Sequence, residues 1–186
     1  MNELAILDAL QTIHTPWFDT LLSLYTVTCD FGQIWILLGL VLVCIPKTRK
    51  LGATVLVALA LGALVTDVIV KPLLMRPRPC DVNPNVVMLV PRPHGSSFPS
   101  GHTTAAFAAF GALLFSRLPK FPEKAPTPLV VAVGIAAVVM AFTRLYCYVH
   151  YPTDVLAGLV VGLLAGLAAA KIVEAVVRKQ ENRFPH

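Results

Sequence analysis

The sequence predicts an all-α fold, a polytopic membrane helix bundle of about five to six transmembrane helices. Three observations predict it. Hydrophobic residues make up 56% of the 186 and charged residues only 13%, with mean hydropathy +0.74, whereas globular domains average about 25% charged. The apolar residues come in long runs rather than alternating patterns, as membrane helices do. The basic residues behind the net charge of +5 cluster in short segments between those runs. They form no basic and aromatic stripe along a helix face, so the charge points to a membrane surface and away from nucleic acid. The length fits a single domain, 1–186, with no room for a second sizeable core.

Taken in order, residues 2–13 place Leu4, Leu7, Leu10 and Ile13 at helical spacing. Segment 1–19 therefore reads as an interfacial N-terminal helix lying on the membrane. It has no Lys, no Arg and no small-residue cleavage site, so it is not a signal peptide. Residues 17–29 are apolar but short, and Asp30, Gly32 and Gln33 separate them from 34–45. These pieces form one bent span, or a re-entrant segment plus a short span. Residues 51–70, 129–142 and 155–177 have the length and composition of spans, and 103–115 gains length if its helix begins near Ser100. Gly158, Gly162 and Gly166 fall on one helix face, where another helix can approach closely.

Charge sets the orientation. Lys47, Arg49 and Lys50, then Arg117, Lys120 and Lys124, then Arg178, Lys179 and Arg183 form three clusters. Alternating spans bring all three to one face, which the positive-inside rule makes cytoplasmic. The opposite face receives 80–99 and the turn at 147–152, together with Lys71, Arg76, Arg78, Arg92 and Arg144. Cations against the usual bias call for a functional reason. Cys29 and Cys44 read as packing residues. Cys80 and Cys147 share the outer face, but sequence cannot set their separation, and a bridge between them is not expected.

Three segments converge on that outer face: 71–79 (KPLLMRPRP), 97–102 (SFPSGH) and 144–154 (RLYCYVHYPTD). In the second, Ser100 stands near the N-cap of the following helix, a natural anion site, and Gly101 allows close backbone approach. In the third, His150 and Asp154 lie four residues apart. An acid at that spacing can fix the imidazole tautomer and free the other nitrogen to attack. On its own, this pair reads better as an interfacial His beside a helix-start Asp. Lys71, Arg78 and Arg144 suit the oxygens of a phosphoryl group in transfer. Snorkelling to headgroups explains one or two such cations but not their joint arrangement. Asp67, one helical turn from Lys71, either positions that lysine or forms a simple interfacial salt bridge. Arg76 and Arg92 read as headgroup contacts, and His94 receives no role.

Lys71, six residues, Arg78-Pro79; then Pro99-Ser100-Gly101-His102; then Arg144, five residues, His150, three residues, Asp154: this pattern resembles the three-part signature of the type 2 phosphatidic acid phosphatase superfamily. Thr143 stands where that family usually has Ser. The resemblance implies a catalytic set of His150 as nucleophile, His102 as general acid and Asp154 as the residue orienting His150. It implies phosphate binding by Lys71, Arg78, Ser100, Gly101 and Arg144, with neither a metal nor another cofactor. The outer loops offer Asp81 and Asp154 as carboxylates, too few for a two-metal cage. The expected substrate is a lipid phosphate presented by the bilayer at the outer leaflet, by analogy undecaprenyl pyrophosphate. Phosphatidylglycerol phosphate and phosphatidic acid follow as alternatives, then phosphotransfer to a lipid acceptor and, less favoured, non-enzymatic transport of anionic lipid. Nothing in the sequence sets an oligomeric state.

Overall fold

The computed structural model describes residues 3–183. Asn2, expected to open the first helix, and the two extremities of the 1–186 domain lie outside the described residues. Every regular element among the described residues is helical: α1 (Glu3–Gln11), α2 (Pro16–Thr28), α3 (Gln33–Cys44), α4 (Arg49–Ala63), α5 (Lys71–Leu74), α6 (Pro79–Val82), α7 (Gly101–Phe115), α8 (Thr127–Tyr146) and α9 (Pro152–Arg183). Three stretches among them are long and apolar enough to cross a membrane: 46–82, whose helix is interrupted at 75–78, α8 and α9. The α2–α3 pair makes a fourth if it is one span, and the 15-residue α7 is the fifth apolar helix of the bundle.

The 17–45 ambiguity resolves through the partners of its two ends. Near the start of α2, Asp19 accepts a hydrogen bond from Tyr146 at the end of α8. Beyond α3, the amides of Lys50 and Leu51 donate to Glu123 in the basic 117–124 loop. The pair thus runs from one face of the bundle to the other as a single crossing bent by 49°. At the bend, a 3-10 turn over Asp30–Gly32 places Phe31 at φ 54° and Gly32 at φ 73°. Glycine adopts that left-handed conformation freely; phenylalanine does not.

The stretch through α4 and α5 contains a π turn over Leu64–Val70, in which the Lys71 amide reaches back to the Thr66 carbonyl. Pro72 follows immediately. It has no N–H for the carbonyl four residues back, and its ring crowds that carbonyl, so the widened turn sits where a regular α-helix is least comfortable.

The central helix is α7, apolar on most sides and largely buried from Thr103 to Leu113. It packs on α9 through the glycine face expected from sequence. A Cβ on Gly158 would lie 2.6 Å from the Ser100 carbonyl, one on Gly162 2.6 Å from the Thr104 carbonyl, and one on Gly166 2.6 Å from the Ala112 amide. In a bilayer, where lipid tails are as apolar as the side chains, such close backbone contact supplies the packing that holds helices together.

The basic clusters gather at one end: Lys120 and Arg178 line a common hollow, and Lys50 meets Glu123 there. The other end carries the 71–79, 97–102 and 144–154 segments. A small second core lies at that end, where Leu7 of α1 is fully buried against Cys80, Cys147, Tyr148, Val149 and Tyr151. The four cysteines are free thiols, Cys80 and Cys147 included.

Candidate active site

The three segments meet around a cavity of about 930 Å³ lined by Lys71, Arg78, Gly101, His102, Arg144 and His150, with Asp30 and Asp67 beside them. Of the residues expected from sequence, Asp154 and Ser100 stand behind the wall rather than in it.

His150 lies in the turn between α8 and α9, buried. Its Nε2 is 3.3 Å from a guanidinium nitrogen of Arg78. Arginine has only donors, so Nε2 must be the acceptor and carries the lone pair. The ring proton then sits on Nδ1, facing Asp154 Oδ2 at 3.6 Å. That separation is longer than a hydrogen bond, and Nδ1 makes none. The attraction is electrostatic, across a gap that a small ring movement closes. Burial, more than the neighbouring cations, pushes the His150 pKa down to about 4, against the pull of Asp154. At neutral pH the imidazole is uncharged with a bare Nε2, the state a nucleophile needs.

Asp154 has no exposed surface. It accepts from the Ser97 hydroxyl, from the Tyr151 amide at 2.8 Å and from Arg76 at 2.6 Å. Arg76 is therefore not the headgroup contact that sequence suggested. Its guanidinium lies 4.0 Å over the Tyr151 ring and bridges Asp154 to Glu3 of α1 at 2.7 Å. Glu3 in turn accepts from the amide and hydroxyl of Thr153. An ion-paired scaffold thus stands behind the histidine.

Arg78, also buried, donates to the carbonyls of Gly95, Val149, His94 and Ser96 at 3.1–3.4 Å. A guanidinium keeps its charge at any physiological pH, and neutral carbonyls fix the group without cancelling that charge. Arg144 is buried likewise, donates to the Thr26 hydroxyl of α2 and leaves Nε without a partner. Lys71 pairs with Asp67 at 2.5 Å, and its ammonium lies where a Cβ on residue 101 would approach it to 3.3 Å. Gly101 therefore makes room for that cation.

Ser100 is fully buried and does not line the cavity. Its hydroxyl caps α7 by accepting from the Thr103 amide and hydroxyl, and its own amide donates to the Asp154 carbonyl at 3.0 Å. The helix-start geometry that singled it out is the reason it faces inward. Thr143 turns its hydroxyl to the Met140 carbonyl at 2.7 Å, away from the cavity. Arg92 is tied to Cys80 and Asp81.

His102, at the head of α7, has Nε2 2.9 Å from Asp30. Sequence reasoning treated Asp30 only as an interruption. A carboxylate inside an apolar run was the available signal, because such residues are costly in a bilayer and commonly functional. Below the polar ring the cavity walls become apolar, with Ile36 of α3 and Leu56, Leu59 and Ala60 of α4. From Leu56 to Lys71 is about 22 Å along a helix at 1.5 Å per residue.

The chain has recognisable relatives. Residues 51–178 match the PAP2 superfamily. The chain is 30% identical over 155 residues to an undecaprenyl-diphosphatase of Sulfolobus acidocaldarius, covering 82% of this chain and 70% of that protein. It is 32% identical over 157 residues to the undecaprenyl-diphosphatase BcrC of Bacillus subtilis, covering 82% and 74%. Among solved structures, the PAP2-type phosphatidylglycerolphosphate phosphatase of Bacillus subtilis superposes with TM-score 0.73 at 26% identity, over 94% of this chain and 85% of that one. LpxE of Aquifex aeolicus gives TM-score 0.74 at 23% identity, over 90% and 94%, a likeness of fold.

Proposed function

Because the chain belongs to the PAP2 superfamily, we propose that it is a metal-independent membrane lipid phosphatase that converts undecaprenyl pyrophosphate to undecaprenyl phosphate. The observation that carries the proposal is the bare Nε2 of His150, held beside Arg78 at the head of a cavity whose lower walls are apolar. The cations take the phosphoryl oxygens and the hydrocarbon-lined part takes the start of a prenyl chain. The undecaprenyl-diphosphatase relatives support that substrate over other lipid phosphates.

In this reading the terminal phosphoryl group docks among Arg78, Arg144, Lys71 and the first turn of α7. Nε2 of His150 attacks phosphorus in line, a P–N bond forms, and the bond to the bridging oxygen breaks. His102 gives its proton to that oxygen as undecaprenyl phosphate leaves. The positive charge developing on the His150 ring is stabilised by Asp154. Water then attacks the phosphohistidine, passing its proton to His102; the P–N bond breaks, orthophosphate departs and both imidazoles are restored. The cations supply the charge stabilisation that dominates phosphoryl transfer.

The site opens at the end of the bundle opposite the three basic clusters. By the positive-inside rule, that end is the extracytoplasmic face of the cell membrane. The 34%-identical match to phosphatidylglycerophosphatase B of Bacillus subtilis covers 37% of this chain. It keeps phosphatidylglycerol phosphate as the second candidate substrate.

The test is phosphate release by detergent-purified protein in EDTA from undecaprenyl pyrophosphate, phosphatidylglycerol phosphate and phosphatidic acid. Release should be fastest from the first, persist in EDTA, and fall at least about 100-fold in His150→Ala and His102→Ala. Loss of release in EDTA, or release indifferent to either histidine, overturns the reading.

A further inference from the structure

Resting on the acid–base role of His102, we infer that Asp30, beside it at the break between α2 and α3, is a positioning residue for that histidine. Asp30 lies outside residues 51–178, the part of the chain that matches the family, and 72 residues before its partner.

The geometry is specific. Asp30 Oδ1 lies 2.9 Å from His102 Nε2, and both line the cavity. The contact is made by the 3-10 turn in which Phe31 and Gly32 take positive φ. A non-glycine residue is disfavoured in that region and persists only where surroundings hold it. Here the turn rests on α7: a Cβ on Gly32 would lie 3.6 Å from Ala105, in the turn that follows His102. Asp30 follows Thr26 by one helical turn, and both residues line the cavity.

The need for a carboxylate follows from the charges around the ring. His102 shares the cavity with Arg144 from α8, Lys71 from α5, Arg78 from the 75–78 segment and His150 from the catalytic turn. The three cations oppose a second proton on its imidazole, as does the charge that develops on His150 during attack, and a general acid must carry that proton when the leaving oxygen departs. Of the nearby carboxylates among the described residues, Asp67 is paired with Lys71 and Asp154 with Arg76. Asp30 is the one placed on His102. Accepting from Nε2–H, it offsets the cations, fixes the ring and leaves Nδ1 to exchange the proton with the leaving oxygen and then with water.

Three readouts on Asp30→Asn and Asp30→Glu test this, with protein that remains monodisperse in detergent. In Asp30→Asn, kcat should fall about 10- to 100-fold with KM within about threefold, as expected for an interaction made in the transition state. The alkaline limb of the kcat profile should move about one pH unit lower, and Asp30→Glu should restore most of both. The ¹⁵N titration of the His102 ring should move in the same direction without any turnover. An inactive wild type therefore overturns the phosphatase reading while this pairing is still decided. An unchanged pH profile and ring titration in Asp30→Asn overturn the inference, even where kcat falls. If Asp30→Asn does not fold, Asp30→Ser is read by the same measurements; if neither folds, the carboxylate serves the fold and the inference is lost.

Discussion

Protonation of His150 links the chemistry of one side chain to the stability of the whole chain. A histidine in the unfolded chain takes up its proton near pH 6.5, whereas burial holds His150 to about 4 in the folded protein. As pH falls through that interval the unfolded state binds the proton first, so stability is intact above about pH 6.5 and declines down to about pH 4. Wild-type thermal midpoints in detergent should therefore drop across this window more steeply than those of His150→Gln. The same displacement keeps His150 uncharged, and with His150 as the proposed nucleophile the acid limb of kcat/KM should lie near pH 4. Arg76 offers a second residue-scale prediction. Arg76→Ala leaves the buried Asp154 without its guanidinium and unties Glu3. Breaking fully buried pairs costs about 3–5 kcal/mol, and Arg76 is partly exposed. A loss on the order of 2 kcal/mol, read as a lower denaturation midpoint, with at least about a tenfold fall in kcat, is expected. The histidines and the cavity cations were legible in the sequence because their spacing is local and ordered. The partners that Asp30, Ser97, Arg76 and Glu3 find were not, since each acts across a gap in the chain that a single sequence does not close.

Helix contacts show the same division between what pattern carries and what it does not. Spans at 51–70 and 155–177 were readable because about twenty apolar residues in a row have few other uses, and 129–142 as a shorter run with no charged residue in it. The glycine face of α9 was readable because small residues at every fourth position have one main structural consequence. The π turn before Lys71 and the bend at Phe31 were not, because hydropathy is blind to a local change of backbone dihedral. Replacing Gly162 with leucine is the element-scale test. The Cβ alone meets the Thr104 carbonyl at 2.6 Å and the Phe107 Cβ at 2.8 Å, so α7 and α9 must separate. Overpacking typically costs about 1–3 kcal/mol. Gly162→Leu should lower the thermal midpoint and, because α7 carries Gly101 and His102, reduce kcat as well.

Across the whole molecule, the site stands at one end of the bundle and its apolar walls run down α3 and α4, so the proposed substrate would be matched by length as well as by charge. Ala60→Trp, which fills the lower cavity, should raise KM for undecaprenyl pyrophosphate at least about tenfold. It should leave release from a short-chain diphosphate nearly unchanged, with micellar concentration held constant in both assays. Equal effects on both substrates would place the prenyl chain elsewhere. A further consequence follows from the carbonyl cage around Arg78. Four neutral acceptors hold that guanidinium rigidly without extinguishing its field, and Arg144 is met by a hydroxyl rather than by an acid. With the guanidinium groups held in place before any lipid arrives, orthophosphate and vanadate should both compete with substrate, read as inhibition of phosphate release. A cavity that opens at the end of the bundle opposite the basic clusters lets the released ion dilute into the solution on that side.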